Sequence, residues 1–101
     1  MTWKIQFTET RPNTSVNFYV ASDEIKNHIK TTYLDTGKML SRNSVFSGDN
    51  LQRIRTLIFS NKESWEEFDN DDVISGTDKS SRLSHNTSNN IVNEDNFIGE
   101  E

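Results

Sequence analysis

The sequence contains no cysteine, a single proline and four glycines. Without thiols there is no disulfide framework, no thiol nucleophile and no thiolate metal site. Only 31% of its 101 residues are hydrophobic, and mean hydropathy is −0.82. No apolar run approaches the ~18 residues a membrane span needs. The start, Met1-Thr2-Trp3-Lys4, carries no apolar signal-peptide core behind a basic residue. The expectation is a soluble, cytoplasmic protein with no membrane partner. Its length fits one domain, 1–101, with few apolar side chains for a core.

Positive charge is also scarce, and unevenly so. Residues 1–70 hold nine Lys/Arg and nine Asp/Glu, while residues 71–101 hold two basic and seven acidic side chains. The net charge of −5 therefore belongs to residues 71–101, most of which make up a polar acidic extension over 75–101. Nucleic-acid binding needs a positive surface, so it is not expected. What the chain has in quantity is Ser, Thr and Asn, 34 residues in all with no repeat period.

Apolar residues alternate over 3–10, with Trp3, Ile5 and Phe7 on one side, which predicts a strand. Arg11-Pro12-Asn13-Thr14 is turn chemistry, and 15–20 reads as a short extended stretch or ordered loop. Ser22 before Asp23-Glu24 opens a helix over 22–35, with Ile25, Ile29 and Tyr33 in one stripe and Gly37 as its stop. Two extended runs, 38–46 and 51–59, flank Ser47-Gly48-Asp49-Asn50 and predict a hairpin. In that register Leu40, Arg42, Ser44 and Phe46 share a face with Arg53, Arg55, Leu57 and Phe59. Met39, Ser41, Val45, Ile54, Thr56 and Ile58 take the other face. Ser60-Asn61-Lys62-Glu63 reads as a capping box before a helix that turns Trp65 and Phe68 inward. A further helix over 77–88, closed by Asn89-Asn90, and an edge strand or an arm over 91–98 complete the pattern.

The order β-α-β-β-α-β predicts a ferredoxin-like α+β fold, one antiparallel sheet with helices on one face. Such a sheet leaves its second face open, and a second subunit is the expected cover. RNA-recognition domains share this order, but they carry aromatics through the third strand. Here Leu51-Gln52-Arg53-Ile54-Arg55-Thr56-Leu57-Ile58 has none, so RNA binding by that route is not expected.

The run SGDNLQRIRTLIFSNKESWEEF, a turn, an Arg/Thr-rich strand and a capped helix, resembles the second half of the dimeric α+β-barrel proteins. That superfamily contains antibiotic-biosynthesis monooxygenase-like domains. Residues Ser81-Arg82-Leu83-Ser84-His85-Asn86 are similar to the tail helix of some of its small members. The resemblance covers about half the chain and implies a homodimer with two sheets face to face. It also implies relatives among cofactor-independent oxygenases and haem-degrading enzymes, whose pocket holds Asn, Trp and His. Trp65 is the one counterpart here, with no Asn and His placed around it by motif. The Asn- and Ser-rich composition also suits a small phage protein.

Candidate chemistry is sparse. His28 would need an orienting carboxylate to act as a base, and Glu24, four residues earlier, is in helical reach. A boundary histidine is the simpler reading, and His85 reads as solvent-exposed. Asp69, Asp71 and Asp72 lack the spacing of a calcium loop and read as a solvated helix end. No metal and no cofactor is expected. Arg42, Arg53 and Arg55 stand out because the hairpin register puts them on one face, with Lys4 joining from the first strand. Like charges across a ladder need neutralising. Acids across a dimer interface would do this, or an anionic small molecule in a pocket with Trp65 nearby.

The leading expectation is a non-catalytic structural or interaction protein, homodimeric and of phage type. The alternative is a monooxygenase-like enzyme or small anionic-ligand binder with a pocket between sheet and helices, using Arg42, Arg53, Arg55 and Trp65. A pocket of a few hundred Å³ with convergent polar groups is the feature that separates the two.

Overall fold

The computed structural model describes residues 1–100. The alternating stretch forms β1 (Trp3–Thr10), which turns Trp3, Ile5, Phe7 and Glu9 toward the helices. Ser22 caps α1 (Asp23–Ile29), its hydroxyl accepting from the Ile25 N–H at 3.3 Å. The helix widens into a π-helical turn over Lys30–Leu34 and stops at Gly37, whose φ of +80° suits a residue without a Cβ. Ile25, Ile29 and Tyr33 are the buried stripe.

The hairpin consists of β2 (Met39–Phe46) and β3 (Gln52–Phe59). In its turn the left-handed residue is Asn50, φ 61°, and the Asp49 carboxylate accepts from the Leu51 N–H at 3.0 Å. α2 (Lys62–Asp69) follows, capped by Asn61 and not by Ser60. The Asn61 side chain accepts from Ser64 N–H at 2.8 Å, while Ser60 donates to the Lys38 carbonyl. Ser60 is held by its neighbour strand, which moves the cap one residue along. A π-helical segment, Asp72–Asp78, then runs into α3 (Lys79–Ser88), so this helical stretch begins earlier than 77. Asn90, φ 57°, turns the chain into β4 (Val92–Glu100).

The strand order is β2-β3-β1-β4, all antiparallel, which is the ferredoxin-like arrangement. Its register stacks the helix-facing side chains in four rows across the sheet. The first row is Met39, Phe59, Trp3 and Glu100, and the second is Arg42, Leu57, Ile5 and Ile98. The third is Ser44, Arg55, Phe7 and Asp95, and the fourth is Phe46, Arg53, Glu9 and Asn93. A bulge between Met39 and Ser41 flips the expected faces at the strand's start: Met39 is buried in the core, and Leu40 is exposed. Lys4 also departs from expectation. Because Ile5 and Phe7 pair with Leu57 and Arg55, alternation puts Lys4 on the opposite face, over the Phe97 ring.

The apolar core sits over the first two rows. Phe59 is fully buried, and Phe68 packs 5.3 Å from it and 5.1 Å from Tyr33. Trp65 stacks on Trp3 with ring centroids 5.6 Å apart. Over the fourth row lies the loop 11–22, which is not a strand. Its Phe18 is buried between the guanidiniums of Arg11 and Arg53, 4.6 and 4.9 Å from the ring centroid.

Candidate functional site

Between the sheet and the helices lies a cavity of about 440 Å³. Arg42, Arg53, Arg55 and Trp65 all line it, so the fold brings together the four residues that the sequence pattern singles out. Strands supply the arginines, since residues 53 and 55 lie two apart on β3 and Arg42 lies on the same face of β2. α2 supplies Trp65 from above. The lining includes six basic side chains, Lys26, Arg42, Arg53, Arg55, Lys79 and Arg82, against the three carboxylates of Asp69, Asp78 and Asp95. A chain of net charge −5 has thus gathered more than half of its eleven Lys/Arg around one space.

These cations are not equivalent. Arg53 is buried and committed: its Nε and Nη2 both lie 2.8 Å from Glu9 Oε1, and Nη2 also donates to the Tyr19 carbonyl at 2.9 Å. Glu9 is fully buried, so this pair comes from within one chain and not across a subunit interface. Arg82 is committed as well, 2.9 Å from Asp78, whose other oxygen accepts from the Tyr19 hydroxyl at 2.9 Å. Arg42 and Arg55, in contrast, make no hydrogen bond and no ion pair among the described residues. Arg55 has the face of Phe7, 5.4 Å to the ring centroid.

Burial pushes the Arg55 guanidinium down to about 10. Glu9 opposes this, while Arg53, Arg42 and Arg82 add to it. Burial likewise lowers Arg42, with Asp78 working against it. Both groups remain charged at neutral pH, in a place that penalises the charge.

The histidines have other work. His28 Nε2 lies 2.7 Å from Asp71 Oδ2, which also accepts from the Tyr33 hydroxyl at 2.6 Å. The orienting carboxylate is therefore Asp71, from the chain just after α2, and not Glu24. Asp71 is drawn inward from the acidic helix end and ties α1 to the chain after α2. Burial acts to raise its carboxyl, but bonds from Tyr33, His28 and the Val73 N–H outweigh this and hold it below the ordinary carboxylate range. The same contact, with burial as the larger cause, raises the Tyr33 hydroxyl. His85 is not simply solvated: it donates to the Asn17 carbonyl at 2.7 Å and fastens the loop to α3. Neither histidine lines the cavity.

Sequence reasoning missed Arg82, Asp78 and Tyr19. The four-residue spacing of Asp78 and Arg82 was a usable signal for a helical ion pair, but nothing local showed that it faces the sheet. Among the described residues no group of three or more His, Asp or Glu is arranged to hold a metal ion. No helix is long and apolar enough to cross a membrane. In comparison with known proteins, the chain matches no family model and no curated protein.

Proposed function

We propose that this protein is a non-catalytic binding module that takes a small anionic ligand into the cavity between its sheet and its helices. The observation that carries this reading is the pair Arg42 and Arg55. Two half-buried guanidiniums share one cavity without a hydrogen bond or ion pair among the described residues. Holding such charge out of water is costly unless something neutralises it. A carboxylate or phosphate does so, because its oxygens fit the guanidinium fork. Arg53 belongs to the scaffold in this reading and Arg82 to the rim. That both histidines are engaged elsewhere favours binding over the oxygenase-type chemistry implied by the resemblance.

Titration calorimetry with a panel of small carboxylates and phosphates tests this. A charge-assisted hydrogen bond contributes about 1.5–3 kcal/mol. Arg55→Met and Arg42→Met are each expected to weaken binding by roughly ten- to a hundredfold. Unchanged affinity in both variants would overturn the proposal.

A homodimer of the dimeric α+β-barrel kind, of the sort a small phage protein would form, is a second reading. Its support is the open sheet face, where Ile54 and Ile58 are half-buried while Val45 and Phe97 are exposed. A second copy laid face to face would cover them. Light scattering over a dilution series should give twice 11.7 kDa. A monomer throughout removes the dimer and leaves the cavity reading standing.

A further inference from the structure

The cavity is cationic only in part. Ile5, Leu57 and Met39 from the sheet, with Ile29, Phe68 and Ile74 from the helix layer, border it, all but Phe68 being core residues that are mostly buried. Its lining also includes Val20, Leu83 and Ile98, which are 64%, 53% and 47% exposed. Three of the nine most exposed large apolar side chains in the described protein thus gather on one cavity. Single exposed apolar residues are ordinary, but a cluster lining a concave site marks an apolar contact.

We propose that the ligand is an amphiphile, a carboxylate or phosphate head carried on an apolar body, and not a bare inorganic anion. This rests on the cavity being the anion site. The head meets Arg42 and Arg55, the two guanidiniums left without ion pairs by Glu9 and Asp78. The body lies against the aliphatic and aromatic wall and covers the apolar side chains at the mouth. A site built for inorganic phosphate alone would have no use for that wall, since a small hydrated anion gains nothing from apolar contact. Size sets the limit: about 440 Å³ holds on the order of fifteen water-sized groups. A head with a body of six to ten carbons fills it.

Each methylene that leaves water for an apolar site adds about fourfold to affinity. The experiment is a titration of the full chain with acetate, butanoate, hexanoate, octanoate, octyl phosphate, inorganic phosphate and neutral octanol. Calorimetry is one readout. Trp65 fluorescence is the other, since Trp65 lines the cavity and stacks on the chain's other tryptophan. Affinity is expected to climb two- to fourfold per methylene, so that octanoate, with six more methylenes, binds at least about sixtyfold tighter than acetate. Octanoate should also bind at least tenfold tighter than octanol. Arg55→Met should remove the advantage over octanol while leaving octanol binding intact, and Arg42→Met, nearer the edge of the sheet, repeats the test should Arg55→Met fold poorly. Comparison of octanoate with octyl phosphate tells which head the site takes.

Acetate or inorganic phosphate binding as tightly as octanoate, with loss in Arg55→Met, overturns the amphiphile and spares the anion site. Octanol binding as tightly as octanoate, unaffected by either arginine variant, overturns the anion site itself. Failure of every probe to bind overturns both.

Discussion

The helix-facing surface of the sheet is two surfaces with opposite chemistry. At one end Phe59, Met39, Trp3, Leu57 and Ile5 pack with Tyr33, Phe68 and Ile29 into the apolar core, several of them bordering the cavity as well. At the other end, two residues further along the same strands, the inward positions are Arg55, Arg53 and Glu9, with Phe7 the apolar exception on β1. There the helices stand over a cavity, and the loop 11–22 closes the row with Phe18. Strands of one period therefore carry a core toward one end and buried charge toward the other, with Arg42 entering the cavity from the core's second row. The lesson is that the balance of apolar and charged side chains shifts along the strand direction, and the cavity spans the change. Both ends hold buried side chains that stabilise the fold, Phe59 at one and the Glu9–Arg53 pair at the other, while Arg42 and Arg55 between them make no ion pair among the described residues.

That contrast can be tested most severely in the two ends' fully buried side chains. Phe59→Ala should cost about 3–5 kcal/mol, by lost burial plus a cavity, measured as a shift in the denaturant midpoint. Glu9→Gln should cost about 3–5 kcal/mol as well, because it leaves Arg53 buried without its counterion. If Glu9→Gln is nearly neutral, the charged end is looser and wetter than the hydrogen bonds imply.

A smaller effect is expected at Asp71, which fastens the helix layer through His28 and Tyr33. Asp71→Asn should cost about 1–3 kcal/mol and leave ligand binding unchanged, since this clamp is outside the cavity. The pH dependence has a definite sign. The Asp71 carboxyl is lowered in the folded state, so its contribution is complete above the unfolded value near 3.9. It fades as pH falls through the lower folded value. The stability gap between wild type and Asp71→Asn should close in that acid window.

The smallest effect runs the other way. Arg55→Met should stabilise the unliganded fold by about 0.5–2 kcal/mol while losing the anion. The folded guanidinium is lowered to about 10, below its unfolded value, so the charged form carries a penalty at neutral pH. That penalty is present below about 10 and is relieved as pH rises through it. The advantage of Arg55→Met over wild type should therefore shrink in alkaline solution. A destabilised Arg55→Met would mean that the contact with Phe7 outweighs the buried charge.

Much of the architecture was legible because it obeys short-range rules. Period-two alternation identified β1 from Trp3, Ile5 and Phe7. A polar cap and a four-residue stripe marked α1 from Ser22 to Tyr33, and the turn residues 47–50 set the hairpin. Errors fell where a neighbour in space intervenes. The bulge at Leu40 swapped Met39 into the core, the Lys38 carbonyl claimed Ser60 and moved the cap to Asn61, and Asp71 displaced Glu24 as the partner of His28. None of these partners lies within the reach of a local pattern.

Alternation and capping act between residues a few positions apart, so strand order class, helix positions and the shared face of Arg42, Arg53 and Arg55 were all contained in the chain's own pattern. Which of those arginines is neutralised was not. Arg53 meets Glu9 across 44 positions, and Tyr19 meets Asp78 across 59. These pairings exist only because four strands are in register and a helix layer stands above them. The tertiary structure alone therefore decided that Arg42 and Arg55 are left facing an apolar-walled cavity.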